Sequence, residues 1–167
     1  MDERDPTPAT GAGCADLTAD FGFSLMSVAH AYRAAVSPAL AGIPQGARGY
    51  QTLAAVVHGE RPNQLALATY LRIDRTVMTY LLDDLAAAGL VERRPDPSDR
   101  RRRLILATPK GAATLAALER QVAEAEASLL SVIDETDRAV LRELLARISQ
   151  GVQNTGQETC DTPPPCA

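Results

Sequence analysis

The sequence predicts a mainly α-helical fold carrying one small β-hairpin, and three observations lead there. Of its 167 residues 46% are hydrophobic but only 4% aromatic, with no Trp, a composition that suits helices packed through Ala and Leu better than sheets of β-branched and aromatic residues. Apolar residues recur at steps of three and four in segment after segment. One stretch, residues 90–106, breaks that period around Pro95-Asp96-Pro97-Ser98-Asp99 and reads as two extended strands joined by a tip.

Taken in order, Phe21, Leu25, Val28, Tyr32 and Val36 form one stripe of an amphipathic helix that stops near Ser37-Pro38. A second helix is expected from Ala47 to Val57, with Tyr50, Leu53, Ala54 and Val57 inward and Gly59 supplying a left-handed terminus. Asn63 caps a short third helix through Leu71. Asp74 caps a fourth from Arg75 to Ala88, whose Met78, Leu81, Leu82 and Leu85 make the buried face. Gly89 ends it, and Leu90 to Arg94 and Arg103 to Leu106 pair around a basic tip. Thr108-Pro109 is a cap with Pro at the first helical position, opening a long helix through Leu115, Leu118, Val122, Ala125, Leu129 and Val132. Thr136 caps the last helix, with Val140, Leu141, Leu144, Leu145 and Ile148 inward.

This length is that of one domain. Residues 1–16 and 151–167 are rich in Pro, Gly, Thr and charge without an apolar period, and are expected to be disordered tails around a single folded unit at 17–150. No apolar run approaches the roughly 18 residues of a membrane span, and the acidic, Pro-containing start is unlike a signal peptide, so a cytoplasmic protein that does not enter membranes is expected. Cys14, Cys160 and Cys166 have no C-x-x-C spacing, and nothing suggests a metal site or cofactor. The net charge of −4 conceals a division: residues 44–110 carry 11 Lys and Arg against 7 Asp and Glu, and the rest 6 against 14. A basic middle sits between acidic flanks.

Two short helices, a longer one and a basic hairpin make a helix-turn-helix followed by a wing, whose parts suit the two grooves of duplex DNA. The fourth helix would present Arg75, Thr76, Thr79 and Tyr80 to base edges and phosphates, with Val77 available to a thymine methyl. Arg100, Arg101, Arg102 and Arg103 lie along the wing, where alternation lets only some face DNA, and a tip Arg suits a narrow minor groove. A run of arginines is also what a solvated strand end looks like, and any exposed helix face is polar.

The patterns Leu67-Ala68-x-x-Leu71-x-Ile73-Asp74, Leu81-x-Asp83-x-Leu85, Gly89-Leu90-Val91, Arg93-Arg94, Asp96-Pro97-x-Asp99-Arg100-Arg101 and Leu106-x-Thr108-x-x-Gly111 together resemble the MarR family of bacterial transcription regulators. The resemblance covers roughly residues 20–150, and its hairpin pattern is the specific part. It implies a winged-helix homodimer, with residues 17–43 and 109–150 as dimerisation helices and 44–108 as the DNA-binding part. Such a dimer binds a palindromic operator, most often as a repressor, and is often released by a small-molecule effector. It further implies that Asp99 braces the wing by pairing with an Arg and that Arg101 is the minor-groove residue. Three positions depart from the family's pattern: Tyr80 stands where Arg is common, Val77 where a hydroxyl is common and Asp84 where a base is frequent. Asp83 and Asp84 are therefore expected to point away from DNA or to pair with an Arg.

In the resembled fold His30, Arg33, Tyr50 and His58 lie on helices that wall a cavity between the two parts, which makes them effector-pocket candidates; a lone His on a helix is as readily a surface or interface group. Some members sense peroxide through a Cys, but Gly22 occupies about that position here. The competing reading is a winged-helix protein-interaction module that has lost DNA binding through Tyr80, Val77 and Asp84. An enzyme is not expected, because the chain carries no Gly-rich phosphate loop, metal-ligand cluster or nucleophile with a His partner.

Overall fold

In a computed structural model, residues 17–59, 63–97, 99 and 103–158 are described. A 3-10 turn at Leu17–Ala19 precedes α1 (Phe21–Val36), whose first turn is capped by Asp20 Oδ1 accepting from the Phe23 amide at 2.7 Å. A turn-rich loop over residues 37–46 buries Leu40 and Ile43 and delivers the chain to α2 (Ala47–His58). Then come α3 (Gln64–Leu71) and α4 (Arg75–Ala87), each capped as expected: Asn63 Oδ1 accepts from Ala66, and Asp74 Oδ1 from Thr76 and Val77. Arg72, with φ of 52°, makes the left-handed turn between them.

Gly89 leaves α4 at φ of 71°, a conformation that costs a Cβ-bearing residue energy, and the chain enters β1 (Val91–Pro95). It pairs antiparallel with β2 (Arg103–Ala107), Arg93 facing Ile105 and Pro95 facing Arg103. Thr108 joins hairpin to helix. Its hydroxyl donates to the Gly89 carbonyl at 2.7 Å and accepts from the Gly111 amide at 2.9 Å, capping α5 (Pro109–Leu129). A 3-10 turn (Leu130–Val132) leads to α6 (Glu135–Glu158).

The core lies where α2, α3, α4, the hairpin and the lower half of α5 meet. Leu53, Leu67, Met78, Leu81, Leu82, Leu85 and Leu115 are each almost wholly buried there, with Leu90, Val91 and Ile105 beside them. The face expected of the fourth helix is the face the structure buries.

Several expectations need correction. Gly59 is extended, with φ of −97°, so the second helix ends without a left-handed residue. The last helix is capped by Asp134, which accepts from the Asp137 amide at 2.9 Å, and Thr136 lies inside its first turn. That helix also continues through Gly151 to Glu158, where a tail was expected from residue 151. Val132 is 87% exposed, because the chain has left the α5 axis for the 3-10 turn. The stripes of α1 and α6 have the predicted spacing, but the inward packing expected along α6 is largely absent among the described residues. Phe21 is 76% exposed, Leu25, Val28 and Tyr32 are exposed, and so are Val140, Leu144, Leu145 and Ile148; only Val36 is buried and Leu141 half-buried. The described residues of a single copy offer these faces too little to pack against. Residues 1–16, the last nine residues and all three Cys lie outside the described residues.

The joint between hairpin and α5 yields a test. A Cβ at Gly111 would meet the Leu90 carbonyl oxygen at 2.0 Å. In an unobstructed helix Gly→Ala stabilises by roughly 1 kcal/mol. Here the sign reverses: Gly111→Ala is expected to destabilise by about 1–3 kcal/mol, as overpacking does, measured as a fall in the urea midpoint at fixed protein concentration. A raised midpoint would contradict the close approach.

Candidate nucleic-acid interface

The interface is built outward from the buried face of α4. With Met78, Leu81, Leu82 and Leu85 fixed in the core, the helical repeat turns Arg75, Thr76, Val77 and Tyr80 to solvent; all four are exposed, Tyr80 by 65%. Arg75 and Thr76 stand in the first turn, at the amide end of the helix, where an anion is favoured. The cap is itself an anion: backbone N–H groups of Thr76 and then Val77 hold the Asp74 carboxyl below its ordinary 3.8.

Thr79 is placed differently. It is half-buried, and its hydroxyl donates to the Arg75 carbonyl at 2.9 Å while accepting from Gln64 Nε2 at 2.7 Å. Its oxygen ties α3 to α4 and keeps one further acceptor site. Gln64 was not legible as a partner, since its spacing from Thr79 belongs to the turn geometry and not to a helical repeat.

The acidic pair on α4 is accounted for. Asp83 Oδ1 receives Arg93 Nη1 of β1 at 2.5 Å, and Asp84 Oδ2 receives Gln45 Nε2 of the loop before α2 at 2.7 Å. Asp83 thus pairs with a wing-strand Arg, as expected, and Asp84 is held by an amide from a segment that sequence reasoning did not connect to it. Both partners are partly exposed, so the Arg93–Asp83 pair serves geometry more than stability. On the wing, Arg94 pairs with Glu92 at 2.6 Å, Arg103 is exposed and Asp99 half-buried. Arg100, Arg101 and Arg102 lie outside the described residues.

The effector-pocket candidates divide between two cavities. The larger, about 950 Å³, lies among α1, the residue 37–46 loop, α2, the end of α5 and α6, and contains Arg33. Arg48 and Arg142 also border it, and none of the three guanidinium groups has a partner among the described residues. Tyr32 and Glu126 meet on its wall; burial first, and then the Glu126 carboxylate, push the Tyr32 phenol up. The smaller, about 680 Å³, opens between α2, the end of α3 and α6, and contains Tyr50 and His58 with Tyr70, Arg72 and Ser149. His58 Nε2 meets Glu119 Oε1 of α5 at 2.7 Å, and burial followed by Glu119 and Glu126 raises the Tyr50 phenol. His30 lines neither cavity. A step of about 100° per residue carries it off the α1 stripe that ends at Val36. Arg48 and Arg142 escaped the sequence reading because nothing in the local pattern sets them apart from other arginines on exposed helix faces.

Comparison with known proteins agrees with this arrangement. A model of the MarR family matches residues 48–102. The crystal structure of a MarR-family transcriptional regulator from Rhodococcus sp. RHA1 is 30% identical and covers 81% of this chain and 98% of its own, with a TM-score of 0.71. CouR from Rhodococcus jostii RHA1, solved with p-coumaroyl-CoA, is 31% identical over 81% of this chain and 96% of its own, with a TM-score of 0.69. CouR, a transcriptional repressor, has also been solved on a 23-mer DNA duplex, 28% identical over 84% of this chain and 99% of that one, TM-score 0.67. A putative transcriptional regulatory protein for the hcr operon of Thauera aromatica is 29% identical over 99 residues, 59% of this chain and 60% of that relative. The chain thus spans about three fifths of the length of the curated relatives it matches.

The Asp74 cap generates a pH test. A folded-state pKa held below its ordinary value stabilises above that value and stops doing so as pH falls through the folded value. Asp74→Asn keeps a capping oxygen but cannot titrate. Its stability is expected to fall below that of the parent chain at neutral pH and to converge with it as pH drops beneath 3.8. A gap that stays constant in thermal melts down to about pH 2 would contradict the carboxylate's role in the cap.

Proposed function

The chain belongs to the MarR family of transcriptional regulators, and from that membership we propose that it is a sequence-specific double-stranded DNA-binding repressor. It acts as a homodimer on a palindromic operator and is released by a small molecule. The observation that carries the reading is the recognition helix, α4: one face is locked in the core while Arg75, Thr76, Val77 and Tyr80 stand exposed beside a basic hairpin. Thr76 and Tyr80 supply donors and acceptors for base edges, Val77 a surface for a thymine methyl, and Arg75 a charge for phosphate. Asp84 is engaged by Gln45, whose amide donates to one of its carboxylate oxygens. Arg100, Arg101 and Arg102 serve phosphates and the minor groove at the wing, with Asp99 bracing them, and Thr79 contributes by holding α3 to α4.

The open apolar faces of α1 and α6 support the dimer. A second copy covers them, and the twofold axis sets the two recognition helices one helical turn of DNA apart. Residues 17–43 and 109–150 are the dimerisation part and 44–108 the DNA-binding part. The larger cavity, mostly apolar and bordered by three guanidinium groups that have no partner among the described residues, suits an effector with an apolar body and an anionic group. Such a molecule releases DNA only to the extent that it prefers the dimer geometry that fits the operator poorly.

Selection of tight binders from random duplexes, read at two salt concentrations, tests this. A palindrome with half-sites about 34–36 Å apart, bound with an affinity that drops steeply with salt, is expected. Arg101→Ala is expected to cost about 1–3 kcal/mol of operator binding. Failure to enrich any sequence would overturn the reading in favour of a protein-interaction module.

A further inference from the structure

Gln45 occupies an unusual place. It is one of two residues other than glycine with a positive φ among the described residues, at 61°, and Gly46 follows at 54°. A side chain is kept there although glycine would adopt that backbone without strain. The side chain reaches across to α4, its amide donating to Asp84 Oδ2 at 2.7 Å. Asp84 is equally out of place by local rules, since it lies near the carboxyl end of α4, where the helix dipole disfavours a negative charge. Two locally unfavourable choices meet in one hydrogen bond.

The segment that holds Gln45 is also a wall of the larger cavity. Ser37, Leu40, Ala41 and Gly46 line it, Gly46 being the next residue in the chain. The segment is anchored below by buried Leu40 and Ile43 and continues directly into α2, where the Tyr50 amide donates to the Gly46 carbonyl at 3.0 Å. A step of about 100° around α4 from Asp84, the neighbouring Asp83 is held by Arg93 of the wing. The end of α4 is therefore gripped from two directions, by the wing and by the cavity wall.

We propose that Gln45 is a positioning residue for DNA recognition: through Asp84 it fixes the recognition helix to the cavity wall, so that filling the cavity is felt as a displacement of that helix. This rests on the DNA-binding reading and adds the route by which the cavity reaches the DNA-reading face. It gives Asp84 a role at a position where a charge facing DNA would only weaken binding.

The test uses the full chain and the operator recovered by selection. Gln45→Gly preserves the backbone conformation and removes the amide. It is expected to lower operator affinity about tenfold while leaving affinity for random duplex and the thermal midpoint unchanged. Asp84→Asn, which still offers Gln45 an acceptor oxygen, is expected to keep the ratio of specific to non-specific affinity. Ala41→Trp, or the milder Ala41→Leu, pushes on the cavity wall without a ligand. It is expected to weaken operator binding in the parent chain and to add nothing in the Gln45→Gly background, the non-additivity that marks a shared route. An unchanged specificity ratio in Gln45→Gly, or effects of the two substitutions that simply multiply, would overturn the coupling while leaving DNA binding intact. No operator for the parent chain would overturn the DNA-binding reading itself, and the coupling with it.

Discussion

Four side chains on one face of α4, Met78, Leu81, Leu82 and Leu85, hold the orientation on which the rest of the molecule depends. Each is at most 1% exposed, and burying a side chain of that size stabilises by about 1.5–3 kcal/mol. Rotating or sliding the helix would forfeit several such burials at once, so its opposite face is set in direction as firmly as the core is packed. The neighbouring elements confirm the same orientation: Gln64 holds the first turns through Thr79, and Arg93 and Gln45 hold the last through Asp83 and Asp84. A reading head that must present the same few side chains to successive base pairs requires that rigidity.

Rigid at its centre, the chain is unfinished at its ends. Thr108 and Gly111 seat the base of α5 against the hairpin, and α5 then runs out of the core to a turn from which α6 returns. Along α1 and α6 most of the apolar residues stand exposed, with too little among the described residues to cover them. The charge follows the same division, with the basic excess confined to residues 44–110 and the acidic excess elsewhere. The cavities lie at the seam between the two regions, lined by helices of both.

What was legible in the sequence was what local physics decides. The caps at Asn63, Asp74 and Thr108 depend on a side-chain oxygen two or three residues from the amide it accepts from, and all three are present as read. The buried face of α4 follows from spacing alone. Asp134 and Thr136 are both capping residues two positions apart, and local pattern did not separate them. Spacing also marked the apolar faces of α1 and α6 without revealing whether they face the chain's own core. The placing of Thr79, Gln45 and Asp84 depends on turns that bring distant segments together, as does the division of Arg33 from Tyr50 and His58. The wing residues Arg100, Arg101 and Arg102 rest on the family resemblance together with the basic run.

On the function proposed above, this chain is half of a DNA reader, its second half being another copy joined through α1 and α6. Sedimentation equilibrium of the protein with a labelled operator duplex measures this directly. Two chains per duplex, with the free protein already at twice the chain mass at micromolar concentration, is the predicted result. A single chain per duplex, or a free protein that remains monomeric throughout that range, would contradict it.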